Sequence, residues 1–294
     1  MSAPRISVLI PVYRDWQPLA DCLQALSRQD WPATDFEVLV INNDTAPPAA
    51  ELALPPGVTL LQAPQGHSYA ARNAGLAVAR GQVLAFTDAD CRPEPGWLSA
   101  GWAALEQGAD LAGGAVRIDP ARRGLIADHD RAFAFQQQAY VAHGGAVTAN
   151  LFVRRAVFEA IGRFNAGLQS GGDFEFCRRA VAAGWRLAYA DTAEVTHPPR
   201  DSVAALLRKN RRVACGLRRS EYEMRGQPRH AVWLRVLRML AQPRLRLWWR
   251  QLRGRESTAA LPPARRPAVV ALQVLLYYHY AWSLLRAPPE KHEH

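Results

Sequence analysis

Three aspartates stand where a polypeptide could handle a phosphorylated ligand. Asp88-Ala89-Asp90 follows the apolar run Val83-Leu84-Ala85-Phe86-Thr87. Two carboxylates at the end of a buried strand form a hard-cation site. The ion would bridge phosphates and offset the charge on a departing diphosphate. Asp173 lies in Gly171-Gly172-Asp173-Phe174-Glu175. The glycines let the backbone approach a ligand closely. A partly buried carboxylate, its pKa lifted above about 4, can take a proton from a hydroxyl. Arg72, in Ala71-Arg72-Asn73-Ala74-Gly75, could meet a phosphate or a base edge. His197, in Val195-Thr196-His197-Pro198, could be a further metal ligand or a diphosphate donor. Each also has an ordinary structural reading: a capped turn for Asp88-Ala89-Asp90, an N-cap for Asp173, a solvated helix Arg for Arg72 and a structural His for His197.

The elements that must position these groups alternate in the first half. Ile6 to Val12 and Phe36 to Ile41 are continuous apolar runs, as strands buried on both faces require. Val58 to Gln62 and Gln82 to Thr87 read as further strands. Asp15 can cap a helix whose apolar stripe is Leu19, Cys22, Leu23 and Leu26. Ser68 to Arg80 reads as a second helix, and Trp97, Leu98, Trp102 and Leu105 mark a third. This alternation predicts an α/β fold with right-handed parallel units and ligands beyond the carboxyl ends of the strands. Tyr13, Asn43, Asp88 and Asp90 all sit at those ends. Later, Ala146 to Val153 reads as a strand and Asp173 to Ala183 as a helix stopped by Gly184. Trp185 to Tyr189 and Ala193 to His197 read as two short strands. Asp201 can cap a basic helix.

The chain has 294 residues, a net charge of +10 and four widely spaced cysteines. The charge favours anionic partners. The cysteines exclude a disulfide framework or a zinc site and point to a reducing compartment. The N-terminus carries one basic residue and an apolar run too short for a signal peptide, so a cytosolic catalytic part is expected. From about Gly226 the chain is rich in Leu, Trp and Arg. Ala268 to Leu285 is apolar but interrupted by Gln273 and His279, and carries Tyr277, Tyr278, Tyr280 and Trp282. This predicts interfacial or re-entrant membrane binding, with a single span as the alternative. Pro288 to His294 reads as a disordered tail. Two domains follow: residues 1–225, and a helical basic tail of 226–294 associated with a membrane.

Five ordered segments resemble inverting family-2 glycosyltransferases of the GT-A fold. They are Ile6-Ser7-Val8-Leu9-Ile10-Pro11-Val12-Tyr13, Val40-Ile41-Asn42-Asn43-Asp44, Ala71-Arg72-Asn73, Phe86-Thr87-Asp88-Ala89-Asp90 and Gly171-Gly172-Asp173. Thr148-Ala149-Asn150-Leu151 and Ile161-Gly162-Arg163-Phe164-Asn165 extend the likeness, which spans roughly residues 5 to 200. The resemblance implies a mostly parallel nucleotide-binding sheet flanked by helices, with a helical basic C-terminal extension. It puts Pro11, Val12 and Tyr13 against base and ribose, Asn43 on the base, and Arg72 and Asn73 near base or diphosphate. Asp88, Ala89 and Asp90 would meet a diphosphate with Mg²⁺ or Mn²⁺, His197 joining as a ligand. Asp173 would be the base, with Asn150, Gly171 and Gly172 on the acceptor side. The family's acidic strand-two motif is here Asn42-Asn43-Asp44-Thr45, and an amide can donate as well as accept, which leaves the base open.

The expected partners are a nucleoside-diphosphate sugar, with a UDP-sugar favoured, and a glycan or lipid-linked acceptor. The cytoplasmic face of the inner membrane would be met through the tail, peripherally or monotopically, and no nucleic acid is expected. The competing readings are a nucleotidyltransferase and a non-catalytic anion-binding scaffold. The first strand lacks the glycine-rich basic loop of the former.

Overall fold

The computed structural model describes residues 3–286 except Asp15, 47–53, 64–65, Arg225 and Pro243, and only the backbone of Glu223 and Arg229. The proposed Asp15 cap and the 288–294 tail lie outside the described residues. Two compact units are present: Met1–Arg117 with Phe135–Pro198, and Ile118–Ala134 with Pro199–His294. The break falls at Pro198, earlier than the 225 boundary expected from composition.

In chain order the elements are β1 (Ile6–Val12), α1 (Trp16–Leu26), β2 (Phe36–Asn42), β3 (Val58–Gln62) and α2 (Ser68–Val78). Next come β4 (Val83–Thr87), the two-residue β5 (Arg92–Pro93), α3 (Trp97–Glu106) and β6 (Leu111–Ile118). After α4 (Leu125–Phe133) follow α5 (Gln137–Ala142), β7 (Asn150–Arg154), α6 (Arg155–Ile161), α7 (Gly172–Ala182) and β8 (Leu187–His197). One eight-stranded sheet runs β3-β2-β1-β4-β7-β6-β8-β5. Strands β3, β2, β1 and β4 are parallel, as the alternating pattern predicts. Beyond them β7 pairs antiparallel with β4 and with β6, so the sheet is mixed. The two short strands read near the end of this unit are one continuous strand, β8. Gly184, with φ +94°, stops α7 as expected.

The apolar runs fill both faces of the sheet. Ile6, Val8, Ile10 and Val12 pack with Leu19, Cys22 and Leu23 of α1 and with Trp97 and Leu98 of α3. The alternate residues Leu9, Leu39, Ile41, Leu84 and Phe86 pack with Tyr69 and Leu76 of α2 and Phe176 of α7. A strand period of two feeds both cores from one apolar run.

Asn150 is wholly enclosed at the start of β7. Its Oδ1 accepts from Trp97 Nε1 at 2.9 Å, and its Nδ2 donates to the carbonyls of Ala115 at 2.7 Å and Ala193 at 2.8 Å. The side chain is therefore spent on tying α3, β6 and β8 to β7. It faces inward rather than toward an acceptor.

The second unit holds α4, α8 (Val203–Leu217), α9 (Arg229–Ala241), α10 (Leu245–Leu252) and α11 (Arg266–Arg286). Ser202, not Asp201, caps α8: its Oγ accepts from Ala205 N at 3.2 Å. Helix α11 is long and apolar enough to cross a membrane, by length and composition, and one side of it packs into small apolar clusters of this unit. Val269, Leu272, Leu276 and Leu284 are buried, while Leu275, Tyr278 and Trp282 are exposed. Gln273, which interrupts the apolar run, meets His129 Nε2 of α4 at 2.9 Å.

Asn150→Ala leaves the Trp97 N–H and two interior carbonyls without partners. A stability loss of about 2–4 kcal/mol is expected from urea unfolding followed by Trp fluorescence. A loss no larger than that of a surface Asn→Ala control would contradict this role.

Candidate active site

The carboxyl ends of the parallel strands bring the first group together. Val12 lies opposite Asn42 in the β1–β2 register, so Pro11, Val12 and Tyr13 adjoin Asn43. Val12 is buried, and Tyr13 is half-exposed with the Arg14 guanidinium 4.9 Å from its ring centroid. Arg14 is itself held by Asp44 at 2.6 Å. The Asn43 amide hydrogen bonds to Val12 O at 3.0 Å, and its Nδ2 donates to Gly66 O at 3.3 Å. Its buried Oδ1 has no hydrogen-bond partner, which leaves one acceptor unsatisfied.

The second group is a connected chain of polar side chains. Tyr69 and Arg72 lie three residues apart on α2, on one face of the helix. The Tyr69 hydroxyl donates to Asp173 Oδ1 at 3.0 Å. Arg72 Nη2 donates to Asp88 Oδ1 at 2.5 Å, and its guanidinium lies 5.7 Å from the Tyr69 ring centroid. Arg72 is 3 % exposed at its side chain, not a solvated surface Arg, and its Nε has no hydrogen-bond partner. Asp88 and Asp173 are thus joined through Arg72 and Tyr69.

Asp173 is the second residue of α7, and Gly171, in the left-handed region at φ +81°, is the N-cap. The plain capping reading therefore fails. The Asp173 carboxylate also accepts from Phe174 N at 2.9 Å and, through Oδ2, from Thr148 N at 3.3 Å. Burial pushes its pKa up, and the bonds from Phe174 and Tyr69 together with the Arg72 charge hold back that rise. A Cβ on Gly172 would lie 2.8 Å from the Tyr69 ring, so glycine there lets the ring sit over the helix start.

The third group is built by the short β5–β8 ladder. Arg92 pairs with Thr196, which sets His197 beside the Asp88–Cys91 turn. His197 Nε2 lies 3.4 Å from Asp90 Oδ2. Its Nδ1 lies 2.6 Å from Pro198 O; a carbonyl only accepts, so Nδ1 carries the hydrogen of that bond, and Nε2 is the ring nitrogen turned toward Asp90. Donor atoms of Asp90, Cys91 and His197 lie within 4.8 Å of one another. Burial and the carboxylates of Asp88 and Asp90 drive the Cys91 pKa well up, so it remains a thiol. The useful donors in this group are the Asp90 carboxylate and the His197 imidazole, which fit a hard or borderline divalent cation, while Asp88 lies outside it with one oxygen held by Arg72.

Two expected residues serve the scaffold instead. Asn150 is enclosed, as described above. The Asn73 side chain donates to Phe164 O at 2.8 Å and accepts from Phe164 N at 3.1 Å, which ties α2 to the loop after α6. Ala89 is buried in the turn. Tyr69 and the Thr148 amide were not anticipated. Tyr69 has a signal in the sequence, its three-residue spacing from Arg72, whereas a backbone donor has none.

A family model described as Glycosyl transferase family 2 matches residues 7–164, more than half of the chain. The chain belongs to glycosyl transferase family 2. This family-2 enzyme is 36 % identical over 222 residues to the glycosyltransferase AglE of Haloferax volcanii, covering 72 % of this chain and 73 % of that one. It is 32 % identical over 141 residues to a pre-mycofactocin glycosyltransferase of Mycobacterium tuberculosis, covering 45 % of this chain and 30 % of that protein. Among solved structures it resembles the mannosyltransferase PcManGT of Pyrobaculum calidifontis in complex with GDP-Man and Mn²⁺. The TM-score is 0.63 at 16 % identity, over 98 % of this chain and 89 % of that one. It also resembles S. aureus TarS in complex with UDP-GlcNAc, with a TM-score of 0.54 at 17 % identity over 95 % and 90 % of the chains. The family-2 enzyme has the GT-A fold and is a glycosyltransferase, which sets aside the nucleotidyltransferase and scaffold readings.

Gly172→Ala is expected to cost about 1–3 kcal/mol by forcing the Tyr69 ring away. The cost should shrink in a Tyr69→Ala background, and strictly additive costs in a double-mutant cycle would contradict the contact.

Proposed function

We propose that this glycosyltransferase moves a sugar from a nucleoside diphosphate to an acceptor hydroxyl with inversion at the anomeric carbon. The observation that carries the reading is the link Asp88–Arg72–Tyr69–Asp173, which ties a candidate cation site to a buried carboxylate of raised pKa. Asp173 takes the proton from the acceptor hydroxyl. The oxygen forms its bond to the anomeric carbon on the face opposite the leaving group as the bond to the diphosphate oxygen breaks. Only the long bond from Thr148 occupies Oδ2, the oxygen better placed to receive that proton.

A divalent cation, Mg²⁺ or Mn²⁺, held by Asp88, Asp90 and His197, would supply charge neutralisation for the diphosphate. PcManGT was solved with Mn²⁺, which supports a divalent ion. Arg72 adds a buried positive charge on the same side. Tyr13 and Pro11 offer a face for base and ribose, and the Asn43 Oδ1 fits a base that presents an N–H, such as uracil or guanine. A UDP-sugar is the favoured donor. Gly171 and Gly172 line the acceptor side. The catalytic domain, expected over residues 1–225, would centre on the first unit, which ends at Pro198.

The acceptor is a glycan or a lipid-linked glycan, and the enzyme works at the cytoplasmic face of the inner membrane. The exposed apolar side chains Trp233, Leu237, Trp249 and Trp282 in the helical unit support a peripheral or monotopic attachment.

With Mn²⁺ present, Asp173→Asn and Asp88→Ala are each expected to lower sugar transfer about a hundredfold or more. Turnover at the wild-type level in either would overturn its assigned role. Transfer should rise with pH as Asp173 loses its proton. Tyr69→Phe removes a bond that lowers the Asp173 pKa, so the acidic limb of kcat/KM should move to higher pH; a limb that stays put or moves down would contradict the pairing. Thermal shifts with UDP and GDP, with and without Mn²⁺, would fix the base and the cation dependence.

A further inference from the structure

An open cavity of about 860 Å³ lies wholly within the second unit, lined from α4, α8, α9 and α11. That volume suits a ligand of drug or headgroup size. Four cations line it: Lys209, Arg235, Arg238 and Arg244. The one carboxylate among the lining residues is Asp130, and it is already answered. Arg200 Nη1 donates to both of its oxygens at 2.9 Å, and Arg200 N donates to Oδ2 at 2.9 Å. Burial would raise the Asp130 pKa, but His129, Arg200 and Lys209 together bring it down to about 2. Among the described residues no carboxylate pairs with Arg235, Arg238 or Arg244. The cavity therefore carries a surplus of positive charge. Burial, with Arg200 and Arg212, presses the Lys209 ammonium down to about 8, against the pull of Asp130. An anion in the cavity would relieve that strain.

The rest of the wall is amphipathic. Leu206, Leu276, Tyr277 and Tyr280 give it an apolar and aromatic side. Helix α9 divides its surface three ways. Val232 and Val236 pack into the unit, Arg235 and Arg238 turn to the cavity, and Trp233, Leu237 and Leu240 are all more than half exposed. The arginine row and the exposed apolar stripe flank the buried valine face on opposite sides, which suits a helix lying at a bilayer surface with its charged side toward the phosphates.

We propose that this cavity binds the phosphate-bearing head of a membrane amphiphile, with Arg235 and Arg238 on the phosphate and the tyrosine wall against the group it carries. The proposal rests on the reading that the helical unit sits at a bilayer. It adds a defined lipid-phosphate site to that reading and is separate from the aspartates of the first unit.

The test is co-sedimentation of the full chain with phosphatidylcholine vesicles containing either phosphatidic acid or phosphatidylglycerol. Tighter binding to phosphatidic acid is expected, because an exposed phosphomonoester can reach both arginines. Arg235→Gln/Arg238→Gln should weaken binding to phosphatidic acid about tenfold or more. The control Arg246→Gln/Arg253→Gln removes the same charge outside the cavity lining and should weaken it by roughly threefold or less. Equal losses in the two double variants, or no loss in the first, would overturn the site. Thermal shifts with inorganic pyrophosphate in EDTA form a second arm. A shift that depends on Arg235 and Arg238, without any matching dependence in vesicle binding, would assign the cavity to a free phosphate compound and overturn the membrane ligand. Asp173→Asn should bind vesicles as the wild type does, so loss of transfer and loss of the lipid site are read in separate assays.

Discussion

A guanidinium withdrawn from water is tolerable only where other groups answer its charge. Arg72 is in that position. Its side chain is almost wholly enclosed on α2, one nitrogen reaches Asp88, and its face lies near the Tyr69 ring. Tyr69 in turn spends its hydroxyl on Asp173. Each member of this set needs the next: Asp173 is buried because donors surround it, and the Tyr69 ring lies over α7 because Gly172 carries no side chain. The site is thus held by mutual satisfaction of buried polar groups, and removal of one leaves its neighbours exposed to the full desolvation cost.

The sheet explains why residues so far apart in the chain can meet. Parallel β2, β1 and β4 end on one side and deliver Asn43, Pro11 to Tyr13, and Asp88 together. The remaining pieces come through antiparallel pairing. Strand β7 enters beside β4, and the β5–β8 ladder returns His197 to Asp90. Mixed topology lets the second half of the first unit approach the same strand ends from the opposite direction.

The parallel half was legible in the sequence because continuous apolar runs ending in polar clusters have a single physical meaning. The ordered motifs named the family, and Asp88, Asp90, Arg72, Asp173 and His197 lie in the groups the structure assembles. Asn73 and Asn150 are different. Their amides are as suited to a ligand as to a backbone carbonyl, and only the surrounding fold decides which they meet. The single strand β8 was read as two because Ala190, Asp191 and Thr192 break the apolar pattern without breaking the backbone. In the helical unit, Gln273 looked like a flaw in an apolar segment, but its partner, His129, is distant in sequence.

Helix α9 has no idle side, and that fixes its azimuth. Successive residues of an α-helix are turned by about 100°. One residue inserted ahead of Val232 would carry the arginines toward the interior and swing the valines out to water. Such a helix tolerates exchange of one apolar side chain for another, but not a change of phase. Its register is under tighter constraint than its composition.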